Sequence, residues 1–409
     1  MASRLLRALV LVLLCTWTPP ALACIWDTDT LLAERSRFPT ALELMTGKFI
    51  RHPPELYAWR LRDRSAKIAA NPDDLSLVDD LAVAHDKLGD HAAAIAAMEA
   101  ILPRDPLRYE TLANLGTFYL HDGDFAKGIE LIDRALEVNP DAHFGRERYQ
   151  RWLAEYILEH RGDGELALPL YARTPGAGTT AIGDPSRRAM GAAGGFADFV
   201  QTKLGVPHLR VSDVEAAIRG VLGMMRFGQH DSPLLLEALG DLLSANVGDY
   251  DAKRLAARAY LLAGEASGDP RARARYEARV ELILSQQETE KRERLTLTEV
   301  KEALAKERAE ADAWYADLAA RERTWINTGV DPDAKIRELY AEEIKITGRI
   351  ARRPETPRPH GPLDRSKSQH RAIDPEGASS TPWPLVLGAA GAGLATLAVG
   401  LRLRRRSRS

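Results

Sequence analysis

Two cysteines in 409 residues, Cys15 and Cys24, leave no disulfide-stapled scaffold and no four-cysteine zinc site within reach. Aromatic residues are scarce at 6 %, and no sign of charge dominates the whole chain, which sums to −2. That balance is uneven along the sequence. Two arginines lie in 1–23, and eleven Lys/Arg face four Asp/Glu in 351–409, which leaves −11 on residues 24–350. An acidic body lacks the basic surface that displaces counterions from nucleic acid, so nucleic-acid binding is excluded. Catalytic signatures are missing too: there is no HExxH, CxxC, P-loop or GxSxG. Asp27-Thr28-Asp29 lacks the glycine and distal glutamate of a calcium loop and reads as the N-cap of a helix entering Leu31-Leu32. His85 reads as a core histidine, and Glu342-Glu343 diverge on a helix. No metal, cofactor or catalytic residue is expected, and an enzyme with its site in 161–350 is kept as the alternative.

The apolar runs sit at the ends. Arg4 and Arg7, the core ALVLVLLC (8–15), Pro19-Pro20 and Ala21-Leu22-Ala23 make 1–23 a secretory signal. Cleavage after Ala23 exposes Cys24, as a lipidation site or as a free or intermolecularly paired thiol. Residues 383–401 hold 19 uncharged positions, roughly 28 Å as a helix and close to the hydrocarbon thickness. Five arginines follow in 402–409 and favour the cytoplasmic side. The expectation is a single-pass membrane protein whose body is periplasmic or extracellular and whose tail is cytoplasmic; a removable C-terminal sorting tag is the alternative.

The interior carries a period. Pro72, Pro106 and Pro140 are spaced by 34, each preceded by Asn or Asp. Between them two blocks align: Val78, Leu81-Ala82, His85, Gly89-Asp90, Ala94, Met98, Pro106, and then Leu112, Leu115-Gly116, Tyr119, Gly123-Asp124, Gly128, Ile132, Pro140. Small residues at Ala82, Ala94, Gly116 and Gly128 let paired helices cross closely, while the glycines and prolines end them. Residues 75–142 on this pattern resemble the tetratricopeptide repeat, a 34-residue helical hairpin.

Two repeats cannot close a core, so flanking helices are expected at 54–70 and 144–160. The organisation reads as signal 1–23, N-terminal segment 24–53, repeat domain 54–160, Gly/Pro-rich connection 161–206, second helical region 207–350, disordered linker 351–382, span 383–401 and tail 402–409. In the second region, helices are expected at 212–227, 232–246, 250–264, 270–285, 295–325 and 333–347. The fold class is an all-α helical-hairpin solenoid. The resemblance implies a scaffold for protein or peptide partners, bound on a concave face built by the first helix of each pair. Carried onto this chain, that face is Ser76, Asp79, Val83, Asp86 and Lys87, then Glu110, Ala113, Thr117, Leu120 and His121; Asn114 is the common consensus residue. Its acidic groups favour a neutral or basic partner segment.

Overall fold

A computed structural model describes residues 25–140, 145–161, 166–173, 194–246, 251–285 and 294–351, with no account of the side chains of Leu31, 172–173 and 344–351. The signal, Cys24, nearly all of the linker, the span and the tail lie outside the described residues. Among the described residues every extended regular element is helical, and no helix is long and apolar enough to cross a membrane.

Two short helices, α1 (Thr28–Arg35) and α2 (Ala41–Thr46), open the body. The repeat region follows as α3 (Pro54–Ala70), α4 (Leu75–Lys87), α5 (His91–Ile101), α6 (Tyr109–Asp122), α7 (Phe125–Val138) and α8 (Arg146–Arg161). Beyond it come α9 (Phe196–Leu204), α10 (Val211–Phe227), α11 (Pro233–Ala245), α12 (Ala252–Ala266), α13 (Pro270–Ser285), α14 (Leu297–Thr328) and α15 (Pro332–Ala351).

Local chemistry sets the hairpins and repeats with the period. Gly89 and Gly123 take φ of 82° and 91°, a left-handed turn that costs a side-chain-bearing residue strain. The aspartate after each glycine caps the next helix: Asp90 accepts from the Ala93 amide at 3.1 Å and Asp124 from the Lys127 amide at 3.0 Å. Within the second hairpin the helices touch at glycine. A Cβ on Gly116 would stand 2.8 Å from Ile132 Cγ1 and 3.1 Å from the Gly128 carbonyl oxygen. Leu112, Leu115, Ile132 and Ala135 are fully or almost fully buried along that seam.

Helices α3 to α8 pack in chain order, α10 continues from α8, and α11, α12 and α13 stack on in sequence. The connection expected at 161–206 is not all loop. Leu170 sits in a 3₁₀ turn and Phe196 and Val200 lie on α9, all three buried in the core shared with α8 and α11. Short length and flanking glycines hide such a helix from periodicity. His85 is also corrected: it is partly exposed, 3.4 Å from Asp90, rather than in the core.

Leucines, an alanine and a tryptophan recur every seven residues at 297, 304, 311, 318 and 325 of α14; Leu304, Ala311 and Leu318 are buried, whereas Leu297 and Trp325 at the ends are only half-buried. A Thr296–Glu299 capping box starts the helix and Gly329 stops it. At 32 residues it is about 48 Å long, and it runs from α12 and α13 back to α2 and α3. Arg258 and Glu307 tie its first half to α12, while Tyr315 under Arg51 and Glu55 with Arg323 tie its second half to the N-terminal helices. Helix α15 then packs on α1, so the last described helix meets the first.

Replacing Gly116 by Leu should therefore lower stability by roughly 1–3 kcal/mol through overpacking, whereas Lys127→Ala on the surface should barely move the denaturation midpoint. Equal midpoints would mean that the two helices do not meet at Gly116.

Candidate functional site

The inner face formed by α3, α4 and α6 is occupied by the chain itself. Residues 25–27 cross it in extended form and lead into the first turn of α1 at Thr28. The Trp26 amide donates to Asn114 Oδ1 at 2.7 Å, and Asn114 Nδ2 donates back to the Trp26 carbonyl at 3.0 Å. The indole meets the Tyr109 ring edge-on at 6.2 Å, and Ile25 joins the apolar core of the repeats. Thr28 donates from its amide (2.9 Å) and its hydroxyl (2.8 Å) to Asp80. Asp27 caps α1 as expected, accepting from the Thr30 amide at 2.9 Å.

Behind this segment lies a buried ion cluster. Arg60, only 2 % exposed, donates to both oxygens of Asp29 (2.7 and 2.9 Å) and to Asp333 (3.0 Å). One turn on, Arg64 donates to Asp80 (2.9 Å), Asp333 (2.5 Å) and Asp63. The two arginines thus join the N-terminal segment, α3, α4 and α15. Two cations cannot satisfy so many carboxylates equally. Burial, and then the Asp29 charge, lift the Asp27 carboxyl to about 6, whereas Asp29, although buried, is held well below the usual carboxylate range by Arg60 and His52.

His52 closes the cluster on its other side, with Nδ1 2.9 Å from Glu322 Oε1 on α14 and Nε2 3.3 Å from Asp29. Burial alone would lower its pKa, but Glu322 and Asp29 outweigh that and raise it to about 9. His52 is therefore a cation at neutral pH, an anchor rather than a general base. Lys87 Nζ donates to the carbonyls of Phe227 and Gly228, so a half-buried cation stands at the C-terminal end of α10. Among these groups lies a cavity of about 200 Å³, lined by Asp27, Thr30, His52, Tyr57, Lys87 and His230 among others. Its size and polar wall suit water or a small polar molecule.

The expected concave face is consequently interior, not open. Asp79 is 1 % exposed and paired with Arg108 through both guanidinium nitrogens, and Glu110 is half-buried beside the same arginine. Val83, Ala113 and Leu120 are core residues. Thr117 accepts from Gln150 of α8 at 3.0 Å, Lys87 is spent on α10, and Asp86 meets His121. Ser76 alone of the ten is exposed, its hydroxyl donating to Asp74. The repeat pattern contains no record of what covers these residues. Sequence reading passed over Arg60, Arg64, His52 and Asp333; two arginines four apart on an otherwise amphipathic helix were the available signal.

A second buried pair pins the non-repeat segment. Asp241 accepts from the Phe196 amide at 2.7 Å and from the Tyr260 hydroxyl, and Glu237 accepts from the Tyr171 amide at 3.1 Å and the Tyr276 hydroxyl. Burial, with Asp241 nearby, pushes Glu237 up to about 7. Gly195 is required here, since a Cβ would stand 2.3 Å from Asp241 Oδ2.

Residues 87–156, from the end of α4 into α8, match the tetratricopeptide repeat family. The match covers α5, α6, α7 and most of α8, the flanking helix expected to extend the stack, and takes in only the last residue of α4. Comparison with curated proteins gives no match. Tetratricopeptide repeats are protein-interaction modules, so the matched hairpins suggest a scaffold that works through protein partners.

Arg60→Leu takes from buried Asp29 its two-pronged guanidinium partner, leaving only His52, and from Asp333 one of its two arginines, and should cost about 3–5 kcal/mol in denaturant unfolding. Arg104→Leu, which removes an exposed partner of Asp73, should have little effect. A similar small cost for both would show that the buried cluster does not hold the ends of the body together.

Proposed function

We propose that this chain is a membrane-anchored, extracytoplasmic helical-repeat scaffold that recognises a protein or peptide segment. The contact between Asn114 and Trp26 carries the reading. A face that grips an extended segment through its backbone amide and carbonyl, beside an aromatic ring, has the chemistry to grip another of similar shape. In this reading residues 25–30 are the resident occupant, and a partner segment takes their place. The acidic body favours a neutral or basic partner, through on-rate and specificity more than affinity. The signal at 1–23 and the arginine-flanked apolar run at 383–401 support the location.

Two measurements test this. Crosslinking in intact cells, followed by partner identification, should recover a partner with the full chain. Asn114→Ala should reduce capture about thirtyfold, as expected for two hydrogen bonds of roughly 1 kcal/mol each, and Trp26→Ala, which loosens the resident segment, should increase it. Capture unchanged by both substitutions in folded protein would remove this face from recognition. For topology, protease added to spheroplasts should digest 24–350 and spare a tag placed after Ser409. A protected body with a digested tag would reverse the orientation, and a mature C-terminus lacking 383–401 by mass spectrometry would replace the anchor with a removable sorting tag.

A further inference from the structure

Away from the cavity, three metal-ligating side chains converge from three successive helices. Asp86 lies in the last turn of α4, His91 is the first residue of α5, and His121 lies in the last turn of α6. His91 Nδ1 stands 2.8 Å, and His121 Nδ1 2.7 Å, from the same oxygen, Asp86 Oδ1. The ligand atoms of all three lie within 4.8 Å of one another, and the two imidazoles sit 5.6 Å apart at 64°. Gly89, with φ of 82°, turns the chain sharply enough to bring His91 back onto Asp86 five residues earlier. Asp86 and His121 are buried, whereas the His91 side chain keeps 19 % exposure and leaves an approach from solvent.

We propose that Asp86, His91 and His121 form a binding site for one zinc ion. Two imidazoles and a carboxylate are a borderline donor set, which suits zinc; calcium and magnesium prefer all-oxygen shells. Metal–donor distances of about 2.0–2.2 Å in a tetrahedron place the donors roughly 3.3–3.5 Å apart. Small side-chain rotations away from the present hydrogen-bonded contacts are enough to reach that spacing. Three protein ligands leave a fourth position for water on the exposed side. The ion would staple the first hairpin, α4–α5, to the first helix of the second, α6. The sequence-based expectation of no metal missed this because Asp86 and His121 stand 35 residues apart, one more than the period, on successive first helices.

The full chain, purified without a polyhistidine tag and stripped with chelator, should take up one zinc per molecule in equilibrium dialysis at micromolar free metal. Cobalt in its place should give the intense visible bands of tetrahedral coordination. His91→Ala should weaken zinc binding by at least about 100-fold, more than loss of an outer-shell partner costs. Because His91 is partly exposed at a helix start, that variant should keep its fold by circular dichroism. His85→Ala, which removes a nearby histidine outside the cluster, should bind as the parent does. Absence of zinc uptake by the parent chain, or equal retention by His91→Ala and His85→Ala, would overturn the proposal.

Discussion

The Arg60 guanidinium, clamped between Asp29 and Asp333, is the contact on which the body depends. Those aspartates lie at opposite ends of the described chain, and they meet only because α3 holds a buried cation between them. A buried charge must be paired or it costs several kcal/mol, so the cluster is an all-or-nothing joint. With both ends docked, the solenoid closes on itself. With either end undocked, Arg60 would lose one of its two buried carboxylate partners, and undocking of α15 would also take Asp333 from Arg64.

Closure explains features that a simple repeat stack does not need. Helix α14 is long because it must reach from α12 and α13 back to α2 and α3, and it is charged because most of its surface faces water while a narrow stripe is buried. Its Glu322 arrives beside His52, whose pKa is raised by lying between that carboxylate and Asp29. The inner face, open in an isolated hairpin stack, is filled by residues 25–30 and by the end of α10. The same closure encloses the cavity at Asp27 and Lys87.

In the proposed reading, partner recognition by the inner face would be a competition between segments, not attachment to a vacant groove. Peptide-directed contacts to Asn114 make exchange chemically reasonable, yet the resident segment is anchored a few residues later by Asp29 on Arg60. Exchange therefore has to leave that anchor in place or break it, and the anchor sets the energetic threshold for opening the face.

The sequence alone determined the helical class, the hairpin boundaries and the residues along the hairpin seams, because period, glycine, proline and capping aspartate are local signals read within a turn or two. It also marked one face of the repeats, since side chains at 3.6-residue spacing share a side. Only the tertiary structure decided what that face meets. Asp79, Thr117 and His121 look like surface polar groups by pattern, and each is buried by a segment far away in the chain or by the next helix. Arg60 with Asp333, 273 residues apart, and Phe196 on Asp241 are pairings between elements whose sequences carry no mark of one another. Long-range polar contacts leave no periodicity, because one correctly placed charge suffices where an apolar face needs many.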